Sequence, residues 1–141
     1  MGKRRKSREI AVQMLYQIEI MEQVPEKGIR IFLNNFPVND TVVDYAVRLV
    51  RCVHANLDDI DATIEKFSRH WKLDRMTAID RNILRMAASE LLFNNDVPKN
   101  ACINEAIEIA RKFSTDDSTG FINGILDAVK KTVETNKKNE S

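Results

Sequence analysis

Thr77-Ala78-Ile79-Asp80-Arg81-Asn82-Ile83-Leu84-Arg85-Met86-Ala87-Ala88-Ser89-Glu90-Leu91-Leu92 reads as a single helix, and that reading decides the fold class. Its first four residues have the form of a capping box with Asp in the acid position. Such a box satisfies backbone N–H groups that have no partner in the first turn. Behind it, Ile83, Leu84, Ala87, Leu91 and Leu92 recur at the spacing of one helical face. Asn94-Asn95-Asp96-Val97-Pro98 then stops the helix.

The same period continues on both sides. Downstream, Asn100 is placed to cap a helix carrying Ile103, Ala106, Ile107 and Ala110. A short polar loop, Ser114 to Asp117, leads to a last helix with Ile122, Ile125, Leu126 and Val129. Upstream, Asp58 or Asp59 opens a helix carrying Ile60, Ile64, Phe67 and Trp71, since acids suit the positive end of a helix dipole. Before it, Asn39 or Asp40 caps one with Val43, Ala46, Val47, Val50 and Leu57. Ile29, Phe32, Leu33 and Phe36 mark a shorter helix ended by Pro37, with Pro25 closing the region before it. The first helix is expected from Lys6 to Met21, with Ile10, Met14, Leu15, Ile18 and Met21 facing inward. No segment sustains a period of two. The expected fold is all-α: about seven helices in two packed sub-bundles, with Pro37 or Leu73–Met76 as the seam. One domain is expected over residues 1–135. The polar end, 136–141, is expected to fray.

Composition agrees with a packed domain. The 141 residues are 43% hydrophobic and 30% charged, with only four Gly and three Pro, so turns are few and elements long. Apolar runs are too short to cross a membrane. No apolar stretch follows the basic start as in a signal peptide, so the expected setting is the cytoplasm. Charge is unevenly placed: the first nine residues carry +4 and the rest −3. A basic head on a mildly acidic body suits a polyanionic partner.

Site chemistry for catalysis is missing from the pattern. There is no Gly-rich phosphate loop and no HExxH motif. His54 and His70 lack metal-ligand spacing. Cys52 and Cys102 fit no zinc or redox motif and read as reduced core residues. Asp58, Asp59 and Asp61 lack the Gly and final Glu of a calcium loop. Ser68, Ser114 and Ser118 have no His–Asp companions in sequence. Neither enzymatic activity nor a cofactor is expected.

The basic head is the sharpest local signal. Lys3, Arg4, Arg5, Lys6 and Arg8 lie before or within the first turn of the first helix. Cations there oppose the helix dipole, by about 0.3–1 kcal/mol each. They are either a solvated tail or a phosphate grip, and the dipole cost favours the second. Guanidinium groups bind phosphates bidentately and stack on bases. Unpaired bases also need aromatic platforms. Phe113 and Phe121 bracket the loop between the last two helices, and Tyr16 is a third ring. Each is either core packing or a stacking face. Asp117, in the same loop, is placed to accept from base N–H groups. Five phosphate contacts predict a slope of log affinity on log salt near about −3.5.

At this point the residues resemble a known family. Leu73-Asp74-Arg75, the run Ile79 to Ala87, and Glu90-Leu91 before Val97-Pro98 resemble the NusB signature. So do Ile103 to Phe113, and Ser118 with Phe121-Ile122-Asn123-Gly124-Ile125-Leu126-Asp127. At the start, Arg4 to Glu9 with Ala11, Gln13, Leu15, Tyr16 and Gln17 looks like the family's arginine-rich opening. The likeness is specific over 71–127 and loose over 22–60. It implies two packed helical bundles and binding of boxA RNA in ribosomal RNA transcripts. It implies a ribosomal-protein partner, NusE, and assembly with RNA polymerase in an antitermination complex. It places RNA on the basic start and the last inter-helix loop, and the protein partner on other helices, with Tyr16 and Asp80 as candidate contacts. Self-association into a homodimer also occurs in the family.

Three positions depart from the pattern. Ser114 stands where many members have Gly ending the sixth helix, so a left-handed cap is less comfortable there. Gly120 stands where many have Lys before the Phe, which removes a phosphate contact. Ala88-Ser89 replaces an aromatic common before Glu-Leu. Two other readings keep the fold. One is a stand-alone relative of the NusB-like domain of ribosomal RNA cytosine methyltransferases. The other is a protein-only helical adaptor with an idle basic tail.

Overall fold

The Asp80 N–H donates to Thr77 Oγ1 at 3.2 Å, so the expected capping box forms at its threonine end. The computed structural model describes residues 2–69 and 72–140. Its seven helices are α1 (Lys3–Ile20), α2 (Pro25–Asn35), α3 (Asp40–Ala55), α4 (Leu57–Phe67), α5 (Ala78–Phe93), α6 (Lys99–Phe113) and α7 (Asp116–Glu140). A short 3-10 turn, Leu73–Arg75, precedes α5. No strand occurs among the described residues.

The helices form the two expected sub-bundles. α1, α2 and α3 pack together, as do α4, α5, α6 and α7, and α5 packs against both α1 and α3. Helix α5 is therefore the central element, with Ile83, Leu84, Met86, Ala87 and Ala88 all fully buried. The chain passes between sub-bundles at Asn56, between α3 and α4, and not at Pro37 or Leu73–Met76. Asn56 Nδ2 donates to the Cys52 carbonyl at 2.9 Å, which closes α3 and turns the chain into α4. Leu57 consequently begins α4 and does not end α3.

Other boundaries differ for identifiable reasons. Pro25 opens α2 and does not merely close the loop before it, because a first-turn proline loses no helical hydrogen bond. Helix α1 ends in a Schellman pattern: Glu22 sits at φ 51°, and the Gln23 N–H reaches the Ile18 carbonyl at 3.0 Å. Met21 and Phe36, both expected on inward faces, are 64% and 57% exposed because each lies just past a helix end. Helix α7 starts at Asp116, with Thr115 Oγ1 accepting from the Ser118 N–H at 3.2 Å, and continues to Glu140 through the polar end expected to fray. The expected placement of Trp71 on the fourth helix lies outside the described residues.

Candidate nucleic-acid interface

Helix α1 begins at Lys3, so the basic head lies within the helix and its side chains take fixed directions. They divide sharply. Lys3, Arg4 and Lys6 are exposed. Arg5 is half-buried and grips Glu105 of α6 with two bonds, Nε at 2.5 Å and Nη2 at 3.0 Å. Those bonds hold the Glu105 carboxyl below its ordinary range. Arg8 is 4% exposed and makes a two-pronged pair with Glu90 of α5 at 2.8 and 3.0 Å. The Tyr45 hydroxyl also donates to Glu90, and Asn94 Nδ2 donates to that hydroxyl at 3.2 Å. Burial pushes the Tyr45 phenol up, and the hydrogen bond to Glu90 adds to this.

Arg8 is therefore corrected from phosphate contact to structural bolt. Its Nε and Nη2 donors are committed to Glu90, and removing one partner of such a buried pair costs about 3–5 kcal/mol. Arg5 is half-committed in the same way. The reach of the head comes from Lys3, Arg4 and Lys6. Arg4 also stacks on Tyr45, 3.8 Å from the ring centroid, which fixes its direction.

The second half of the site lies at the α6–α7 junction. Phe113 ends α6 and is 36% exposed, and Lys112 Nζ sits 5.3 Å from its ring centroid. Phe121 is half-buried against the core. The two rings thus differ: Phe113 offers a face to solvent, whereas Phe121 lines a concavity of about 330 Å³ with Met76, Asp117 and Ser118. Asp117 is exposed at its edge.

Asp80 holds this junction in place. It is 3% exposed, and its carboxylate accepts from Ser114 Oγ at 2.5 Å and Ser118 Oγ at 2.7 Å. That is a second correction: a carboxylate so enclosed is a clasp between α5 and the α6–α7 junction, not a group presented to a protein partner. Ser114 is extended at φ −129°, so the left-handed cap considered for it does not form and its hydroxyl is free for the clasp.

Two ion pairs align the head with this junction. Arg5 reaches Glu105 of α6, and Lys112, one residue before Phe113, reaches Glu9 of α1 at 3.2 Å. The start of α1 therefore runs beside α6 towards Phe113, with about 9 Å of helix rise between Lys3 and Glu9. Glu9 and Glu105 carried no signal in the sequence, because partners this far apart along the chain leave no local pattern.

Tyr16 lies elsewhere on α1. It is 39% exposed, close in sequence to exposed Ile20, Met21 and Val24. One helical turn on, Glu19 binds Arg81 Nη2 at 2.7 Å and Arg85 Nη1 at 2.9 Å, and Arg85 Nε binds Asp61 at 2.8 Å. Burial raises the Glu19 carboxyl, but the two arginines together leave it below its ordinary value. Arg81 also donates to the carbonyls of Leu73 and Met76, which pins the 3-10 turn. Of the cysteines, Cys102 is buried and its thiol is pushed up to about 12. Among the described residues no group of His, Cys, Asp or Glu is placed to hold a metal ion.

The sequence profile described as "NusB family" matches residues 5–131. The chain belongs to the NusB family. Its likeness to individual NusB proteins runs nearly end to end. The transcription antitermination protein NusB of Desulfatibacillum aliphaticivorans is 44% identical over 129 residues, covering 92% of this chain and 90% of that protein. NusB of T. maritima, a solved structure, superposes with a TM-score of 0.83 at 35% identity, over 93% of this chain and 92% of that one. A solved complex described as antitermination factors NusB and NusE with dsRNA gives a TM-score of 0.84 at 26% identity, covering 94% and 98%. No helix among the described residues of this NusB-family chain is long and apolar enough to cross a membrane.

Proposed function

We propose that this chain is a non-catalytic transcription antitermination factor. It binds boxA-type single-stranded RNA of ribosomal RNA transcripts together with the ribosomal protein NusE. In the cytoplasm it helps assemble the antitermination complex on RNA polymerase. The observation that carries the reading is exposed Lys3 and Lys6 at the start of α1, set beside α6 and Phe113 by the Arg5–Glu105 and Glu9–Lys112 pairs, with exposed Arg4 turned to Tyr45 on the far side of the head. Exposed cations hold phosphates, and an exposed ring takes an unstacked base. Phe121 and Asp117 add a second ring and an acceptor beside it. Tyr16 and Ile20 of α1, with Met21 and Val24 just beyond its end, form a separate exposed apolar surface suited to NusE. The solved NusB–NusE complex with dsRNA supports NusE and RNA as partners, and the preference for unpaired RNA rests on the exposed ring.

The test is titration of labelled boxA-like RNA at several salt concentrations, with and without NusE, against a duplex of the same sequence. Three accessible cations predict a slope of log affinity on log salt near about −2, shallower than five would give. NusE is expected to tighten binding. A flat salt response, or equal affinity for the duplex, would sink the reading.

A further inference from the structure

Ala88 and Ser89 are small residues on the central helix, and both are buried. Ser89 Oγ turns back to the Met86 carbonyl at 2.7 Å, so its side chain fills none of the space beyond it. That space is a concavity of about 360 Å³ between α3 and the end of α5. Tyr45, Arg48, Cys52, Phe93, Asn94 and Asp96 are among the residues that line it.

We propose that this concavity takes an unstacked nucleotide of the RNA that flanks the segment held by the head and the Phe113 junction. The proposal rests on the RNA-binding reading above and extends the RNA path in the other direction. Three features converge. The first is position. Arg4 of the head points to this side, stacked on Tyr45, while Arg5 points to α6 on the other. A strand crossing the head from Phe113 therefore arrives at the concavity.

The second is charge. Arg48 is exposed, and its guanidinium lies 5.8 Å from the same Tyr45 centroid that Arg4 covers at 3.8 Å. Glu90, the carboxylate between them and the core, is already saturated by Arg8 and Tyr45. Arg48 thus lines the concavity and can take a phosphate at its mouth, while Arg4, against the same Tyr45 ring, lies on the path from the head. The third is shape. Phe93 is 45% exposed and lines the opening, which gives a base a stacking face. Asp96 supplies an acceptor for base edges beside it, and Asn94, held by the Tyr45 hydroxyl and the Asp96 N–H, shapes the wall. An acidic peptide would use the guanidinium groups but would leave the ring and the depth of the concavity unused.

Native Cys52 reports occupancy. It lines the concavity and is partly exposed, whereas Cys102 is buried. The experiment compares a core boxA-like RNA with one a few nucleotides longer at each end, on the wild-type chain, Arg48→Ala and Phe93→Ala. Both substituted residues are exposed, so the fold survives. All three proteins are expected to bind the core RNA alike. On the longer RNA, Arg48→Ala should lose about 0.7 from the salt slope. Phe93→Ala should lose about 5- to 150-fold in affinity. The longer RNA should slow alkylation of Cys52, and the core RNA should not. If lengthening the RNA changes neither affinity nor Cys52 alkylation, the proposal is overturned and the RNA-binding reading stands. If an acidic peptide protects Cys52 and the long RNA does not, the site belongs to a protein ligand and the proposal is equally overturned. Failure of both RNAs to bind overturns both readings.

Discussion

Gly120 lies exposed in α7, one residue before Phe121, and a Cβ there would meet nothing within 4 Å. A lysine therefore fits without displacing any neighbour and adds a cation beside the ring. Gly120→Lys is expected to steepen the salt slope of RNA binding by about 0.7. It should also raise helix stability by about 0.5–1 kcal/mol, because glycine is a poor helix former. Anisotropy titrations at several salt concentrations and a thermal melt measure both effects; an unchanged slope would place the RNA away from this turn. At this scale the sequence showed residue types and left their commitments unread. Arg8 and Lys6 look alike in the chain, but only Arg8 meets a buried carboxylate, 82 positions away. Asp80 likewise shows as a cap residue, while its two serine partners lie across a loop. Burial by distant partners was the missing information, and it separates bolts from contacts.

Helix positions were legible because a packed helix must repeat its apolar residues at its own period. Boundaries were less so where a residue serves either side, as with Pro25 and Leu57. Close approach between elements leaves an even fainter mark. Gly28 of α2 is buried against α1, and a Cβ there would collide with the Ile18 side chain and sit 2.9 Å from Gln23 Oε1. Gln17 Nε2 bridges the same contact, donating to the Gly28 carbonyl at 3.0 Å and to Gln23 Oε1 at 2.7 Å. Gly28→Ala is expected to cost about 1–3 kcal/mol by overpacking. Gly124→Ala, in open space on α7, should instead gain about 0.5–1 kcal/mol. Urea unfolding of the two variants gives opposite shifts in midpoint. Equal shifts would mean that α2 packs less closely on α1 than this geometry states.

The whole molecule is held at the seam where α5 meets α1 and α3. Arg8, Glu90 and Tyr45 join three helices there, so the basic head is fixed to both sub-bundles at once. The other polar contacts around α5 respond to acid. His54 of α3 has its Nε2 buried with no hydrogen-bond partner among the described residues. Burial lowers its pKa from the ordinary 6.5, Arg85 lowers it further, and Asp61 partly opposes them. The unfolded chain therefore takes up this proton first. Stability is full above about pH 6.5 and falls as pH drops through the lower folded value. Glu19 and Glu105 are held below their ordinary 4.5 by arginine partners, so their contribution is present above that value and lost further down. Unfolding midpoints in urea should fall in two stages on acidification, one starting near neutrality and one in the carboxylate range. His54→Leu, of similar bulk and unable to titrate, should remove the first stage and keep the second. If the first stage persists in that variant, another group carries it, and the unpartnered Nε2 at the seam is not the acid-sensitive point of the fold.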